Sequence, residues 1–187
     1  MFLLAIDTST PIVSVALVRE DTLVSDARFG DLSGPQLHGE ELASVIADVM
    51  QGYEFAELDA VAVGTGPGPY TGLRVGLVTA EVIAHVHGLP VLGVPSLDAI
   101  ANAQRRQGVT GTITAVTDVK RKEHAIAVYA DGDHPIDGPR LVPASEHPDV
   151  AIPSAIDIAL VAIARYRRGE SQSPAPIYLR QPDVTLK

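Results

Sequence analysis

The sequence predicts an α/β protein of two similar small lobes, each with a mixed β-sheet and covering helices, and three observations predict it. Apolar runs of strand length alternate with longer segments of helical periodicity, the pattern of a sheet with helical cover. The segment "TITAVTDVKRKEHAIAVYADG" repeats the layout of "FLLAIDTSTPIVSVALVREDT": an apolar strand ending in Asp, a turn, and a second apolar strand. At 187 residues with 46% apolar side chains, the chain is long for one compact lobe and has apolar material for two.

Taken in order, "FLLAI" forms the first strand and residues 14–18 the second. Between them "DTSTPI" is a turn, because Asp7, Thr8, Ser9 and Thr10 can each bond their own backbone and Pro11 fixes φ. "TLVSDARF" adds a third strand. Over residues 37–53, Leu42, Val45, Ile46, Val49 and Met50 recur at helical spacing, while Glu41, Ser44, Asp48 and Gln51 form the polar face of the same helix. "LDAVAVG" is a short buried strand that runs into the glycine loop "GTGPGPYTGLRVG" and a helix over residues 71–87, ended by Gly88 and Pro90. "LPVLGV" and "SLDAIANAQRRQ" supply the next strand and helix. The first lobe covers residues 1–105. The second, residues 106–187, holds the repeated hairpin, one clear helix in "PSAIDIALVAIARYRRG" and a Pro-rich tail, and so is cut down.

Charge and composition exclude several classes. Lys and Arg total 14 against 23 Asp and Glu, a formal charge of -9 that repels a phosphate backbone unless some patch is locally basic. Direct nucleic-acid binding by the chain alone is therefore disfavoured. The absence of cysteine excludes disulfides and thiolate metal sites. "MFLLAID" has no basic lead and breaks at Asp7, so it reads as neither signal peptide nor membrane span, and a soluble cytoplasmic protein is expected.

A strand running through a glycine loop into a helix presents backbone N–H groups and a positive helix end to an anion. Asp7, Thr8, Gly66, Gly68 and Thr71 are accordingly candidate contacts for a nucleotide or other anion. Against this, no Gly-Lys-Ser/Thr ending follows, and Pro67 and Pro69 remove two donors. The alternative is that Thr71 caps the helix while Gly72 and Gly76 let it approach a neighbour closely. Asp7 and Asp118 can likewise hold Mg²⁺ across a cleft or cap their own turns.

The helix after the loop has a polar stripe of Arg74, Glu81 and His85 and an apolar arc of roughly 260°. Val75, Val82, Ile83 and Val86 form one face, expected to be buried. Leu73, Leu77, Ala80 and Ala84 with Gly76 form another, which either the chain's own other helix or a partner's helices must cover, the partner being the favoured expectation. None of the six histidines has the helical spacing of a zinc motif, no G-x-S-x-G elbow occurs, and "KRK" at residues 120–122 reads as a solvated hairpin turn without aromatic interleaving.

The segments "LAIDTSTPIVSVAL", "HGEEL", "GTGPGPYTGLRVGL", "GLPVLGVPSLDAIA", "DVKRKE" and "YLR" stand in the order seen in the TsaB family, which the chain resembles over residues 3–129 and weakly at 178–180. The family serves threonylcarbamoyladenosine modification of tRNA at adenosine 37. The resemblance implies a duplicated actin-like, RNase H-like (ASKHA) fold and a non-catalytic subunit that partners the catalytic paralogue TsaD, with the ATPase TsaE joining. It allows homodimers when alone and implies tRNA contact only through the complex, no membrane, and no tightly bound cofactor, while leaving room for ATP or ADP with Mg²⁺ at the complex's shared interface. Its first-lobe helix contacts map onto Leu73, Arg74, Leu77, Ala80, Glu81 and Ala84. Where the paralogue carries two metal-binding histidines, this chain has Ser96 and Ile100 around Leu97, Asp98 and Ala99, and isoleucine cannot ligate a metal. That also argues against the family's old glycoprotease label. The chain departs from the family's Asp-Ala-Arg and Glu-Val-Tyr at Asp118, Val119, Lys120 and Glu123, His124, Ala125, and its second lobe lacks a Gly-Asp-Gly strand. The rival reading is a stand-alone actin-like ATPase or phosphotransferase using Asp7, the glycine loop and Asp118, with a metallopeptidase third.

Overall fold

Every residue of the first strand, β1 (Phe2–Asp7), is buried, and its alternation divides the interior in two. Phe2, Leu4 and Ile6 point into one apolar cluster, Leu3 and Ala5 into another. The structure is a computed structural model that describes residues 1–31 and 38–180. β1 pairs antiparallel with β2 (Val13–Arg19), which pairs antiparallel with β3 (Thr22–Phe29). On its other side β1 runs parallel to β4 (Ala60–Gly64), and β4 parallel to β5 (Val91–Val94), giving the mixed order β3-β2-β1-β4-β5. The parallel pairs need crossovers, which the helices provide.

Two helices cover one face of this sheet: α1 (His38–Val49) and α2 (Tyr70–His87), with Leu42, Val45, Ile46, Leu73, Leu77 and Ala80 in the shared core. Helix α1 stops before the expected end at residue 53, since the chain turns at Gly52 with φ +86°. Position 37, its expected start, lies outside the described residues.

The second sheet holds β6 (Ile113–Asp118), β7 (Glu123–Tyr129) and β8 (Asp137–Pro143), all antiparallel. The duplicated hairpin is confirmed: β6–β7 matches β1–β2, with Asp118 paired to His124 as Asp7 is to Ser14. Strand β8 is a finding beyond the sequence reading. Two prolines and a mostly exposed surface hid it. Helix α3 (Ser96–Arg106) packs Leu97, Ile100 and Ala101 against Ile113, Ala115 and Tyr129. Helix α4 (Ala155–Arg167), assigned from sequence to the second lobe, instead buries Ile158, Ala159, Ala162 and Ile163 on the other face of the first sheet. The division at residue 105 is thus crossed by the chain's last helix, because the small residues Ala5, Ala16, Ala60 and Ala62 leave a flat apolar face that needs a cover.

Candidate functional site

The turn between β1 and β2 is built as an Asx turn. The Asp7 carboxylate accepts from the Ser9 backbone N–H at 2.9 Å and the Ser9 hydroxyl at 2.8 Å on one oxygen, and from the Ser96 hydroxyl at 2.7 Å on the other. Asp7 is 1% exposed. Gly64 lies against it so closely that a Cβ there would come within 1.9 Å of the carboxylate. Thr8 reaches into α2: its hydroxyl donates to the Gly72 carbonyl at 2.7 Å and accepts from the Gly76 N–H at 3.0 Å. Ser96 is fully buried on Asp7, and Ile100 lies in the second lobe's core.

The five expected anion contacts therefore do not line a common space. Asp7 and Thr8 bond protein groups, and Gly68 presses on the turn, a Cβ there meeting the Ser9 carbonyl at 2.2 Å. Gly66, at φ +87°, packs against Leu73, and Thr71 is exposed in the first turn of α2. A phosphate does not fit where backbone touches backbone. Nor does Thr71 cap the helix, since Pro69 is the N-cap and no side-chain cap bond forms. The expectation that Gly72 and Gly76 permit close approach holds, with Thr8 the neighbour: a Cβ on Gly76 would meet its hydroxyl at 2.4 Å.

The two apolar faces of α2 differ from expectation in part: Val75 and Ile83, expected inside, do pack half-buried against the core, but the other residues change places. Leu73, Leu77, Ala80 and Ala84, expected at a partner, are at most 5% exposed and fill the chain's own core. The glycines decide this, because only their side of the helix can meet the β1–β2 turn. Val82 and Val86, expected inside, are 55% and 69% exposed, and Val78 is 56% exposed. With Tyr70 and Arg74 they form one ridge at i, i+4 spacing, flanked by exposed Glu81 and His85. Beside it, α1 presents exposed Gly39, Ala43 and Ala47, also at i+4 spacing.

Beyond the glycine loop opens a cleft of about 410 Å³ between the lobes. Gly68, Pro69 and Tyr70 form one wall and Val119, Lys120 and Arg121 of the β6–β7 turn another. The chain's last described residues close it. That segment follows the edge of β5, where Gly93 N–H donates to the Gln172 carbonyl at 3.1 Å, and then crosses the glycine loop, where Ile177 N–H donates to Thr65 at 2.8 Å. Tyr178 packs its ring 5.1 Å from that of Tyr70 and accepts from Arg74 Nε at 3.0 Å, while the Arg74 guanidinium lies 4.1 Å over Tyr70. Arg180 pairs with Glu123 and donates to the Lys120 carbonyl at 3.2 Å. Lys120, Arg121 and Lys122 all take left-handed backbone, φ 60–66°, which for such residues costs about 1–2 kcal/mol each. Arg180 holds that turn in place.

One further buried cluster escaped the sequence reading. Tyr129 donates to Asp98 at 2.5 Å and Arg165 to its other oxygen at 2.7 Å, all three at most 5% exposed. Burial pushes the Asp98 carboxyl up, against the opposing pull of Tyr129 and Arg165, and pushes the Tyr129 phenol up as well. The cluster joins α3, β7 and α4 and marks where the two lobes are fastened. No grouping of His, Asp and Glu suited to a metal ion occurs among the described residues, and no helix there is long and apolar enough to cross a membrane.

A five-stranded mixed sheet whose first hairpin recurs in a smaller second sheet defines the actin-like, RNase H-like class. The same chain path occurs in Thermus thermophilus RuvC, at TM-score 0.51 and 16% identity over 92% of this chain and 99% of that one. Within that class the chain belongs to the TsaB/YeaZ family. Residues 35–159 match the family described as TsaD: tRNA N6-adenosine threonylcarbamoyltransferase. A structure from Pseudomonas aeruginosa, described as similar to peptidase YeaZ, superposes at TM-score 0.82 with 25% identity, covering 96% of this chain and 99% of that one. An uncharacterized protein of Mycobacterium tuberculosis is 35% identical over 97% of this chain and 92% of its own length. The tRNA threonylcarbamoyladenosine biosynthesis protein TsaB of Escherichia coli is 35% identical over 62% of this chain and 50% of its own.

Proposed function

We propose that this chain is a non-catalytic subunit in the biosynthesis of threonylcarbamoyladenosine on tRNA, and that it docks a TsaD-like catalytic paralogue through the outer ridge of α2. The observation that carries this reading is the row Val78, Val82 and Val86, three exposed valines in line on a helix whose opposite face is fully used inside the chain. Isolated exposed apolar residues need no explanation, but an aligned row beside the small residues of α1 is shaped to receive ridges of another helix pair. In a chain alone, the same ridge can pair two copies. Arg74 and Glu81, at the edge of the ridge, supply charges that fix register with the partner. A TsaE-like ATPase, with ATP or ADP and Mg²⁺ at a shared surface, completes the proposed assembly.

Two features support the non-catalytic part. Asp7, the residue a phosphotransferase would need at the first turn, is committed to Ser9 and Ser96, and the positions of the paralogue's metal histidines are a buried serine and a core isoleucine.

The test is co-purification with the TsaD-like protein of the same organism, scored by size-exclusion chromatography with light scattering. A stable heterodimer is expected, and Val82→Glu should weaken it at least about 100-fold by placing a charge in an apolar contact. Urea midpoints should be unchanged, since Val82 is exposed in the free chain. Full partner affinity in that variant would put the interface elsewhere. Leu77→Glu is not a fair probe, because Leu77 belongs to the core.

A further inference from the structure

The acidic composition argued against nucleic acid unless some patch is locally basic, and folding creates such a patch. Lys120, Arg121 and Arg180 all line the cleft between the glycine loop and the β6–β7 turn. Lys122 follows in the same turn, and Arg74 reaches the cleft wall through Tyr70 and Tyr178. Asp118 and Glu123 offset part of this charge by pairing with Lys120 and Arg180. Five of the chain's 14 Lys and Arg residues thus gather at one place on a molecule of net charge -9.

The aromatic component missing from "KRK" in sequence is also supplied here. Tyr70 and Tyr178, 41% and 37% exposed, stand in contact at the cleft with Arg74 over the former. Rings beside cations form the platform on which unpaired bases stack while phosphates follow the charges. The cleft, about 410 Å³, has the size of one nucleotide unit rather than of a duplex.

We infer that this cleft binds an unpaired segment of RNA directly, one base against the Tyr70–Tyr178 pair and the adjoining phosphates on Lys120, Arg121 and Arg180. The chain then takes part in holding the RNA instead of meeting it only through a partner. This inference does not rest on the α2 ridge, because RNA binding is measured on the chain alone. Tyr70 and Arg74 belong to both surfaces, but the two readings have separate measurements, RNA binding here and heterodimer formation there.

The experiment is fluorescence anisotropy of the purified full chain with a labelled tRNA transcript and with a labelled single-stranded oligoribonucleotide, across a salt series, and with labelled ATP in parallel. Binding of both RNAs that weakens with salt is expected. Lys120→Glu should weaken it about tenfold at low salt and lower the salt slope by about 1. Tyr178→Ala should cost about fivefold or more, with Tyr178→Phe restoring most of it, because stacking needs the ring and not the hydroxyl. Arg140→Glu, a matched charge reversal outside the cleft, should change affinity less than about twofold. Circular dichroism checks that each variant is folded. The inference is overturned if neither RNA binds at low salt, if Lys120→Glu binds as well as the parent chain, or if labelled ATP binds while both RNAs do not, which would make the cleft a site for free nucleotide.

Discussion

The two turns that follow Asp7 and Asp118 share one local plan and have opposite fates. In each, the aspartate accepts from the backbone N–H two residues on, at 2.9 Å from Ser9 and 2.7 Å from Lys120. The first turn is then sealed by the glycine loop, α2 and α3, so that both Asp7 carboxylate oxygens and the Thr8 hydroxyl meet protein. The second is left facing solvent and a cleft, with its charges outward. A duplicated unit thus divides its work: one copy locks the interior and the other is free to evolve a surface. The lesson is that local sequence determines the turn, whereas what packs on it determines whether its carboxylate is structural or available.

Replacing each aspartate by alanine tests this division most directly. Asp7→Ala removes the only described partner of three buried donors and should destabilise the chain by about 3 kcal/mol in urea denaturation. Asp118→Ala breaks a part-buried turn bond and a pair in which Lys120 is 41% and Asp118 37% exposed, and should cost less than about 1 kcal/mol. Equal losses would mean that the two turns are not differently committed.

A smaller effect sharpens the first half of the comparison. Thr8→Val keeps the shape of the side chain and removes the hydroxyl that bridges the Gly72 carbonyl and the Gly76 N–H. About 2 kcal/mol should be lost, with faster amide exchange at Gly76. An unchanged exchange rate would show that the helix closes its own ladder there without Thr8.

Much of this was legible in advance because it is local. The strand, Asx turn and strand of each lobe follow from apolar strand runs and from aspartate's bond to its own backbone, which is why the repeat is legible in the two segments around Asp7 and Asp118. The orientation of α2 was not legible, since two apolar arcs on one helix predict burial without saying which arc is inside. Gly72 and Gly76 carried the missing signal: a glycine pair at i, i+4 marks the side of closest approach, and Leu73, Leu77, Ala80 and Ala84 lie on that side. The basic cleft was hidden for another reason. Arg74 and Tyr178 are 104 residues apart, and no periodicity links them. Helix α4 was misplaced because its amphipathic pattern demands an apolar sheet face without naming which sheet.

The one stabilising effect is expected at the residue just before the second aspartate. Ile6 precedes Asp7 and Thr117 precedes Asp118, and both are fully buried. Ile6 is apolar, as its surroundings require, but the Thr117 hydroxyl has no hydrogen-bond partner among the described residues. An unsatisfied buried hydroxyl costs more than the methyl that would replace it. Thr117→Val should therefore raise stability by roughly 1 kcal/mol, read as a higher urea midpoint at unchanged slope. The sign is what matters, because Thr8→Val, the same chemical change near the first turn, should lower the midpoint. Should both variants be destabilised alike, the hydroxyl of Thr117 has a partner of its own, and the second turn is more firmly built into the interior than its open surface indicates.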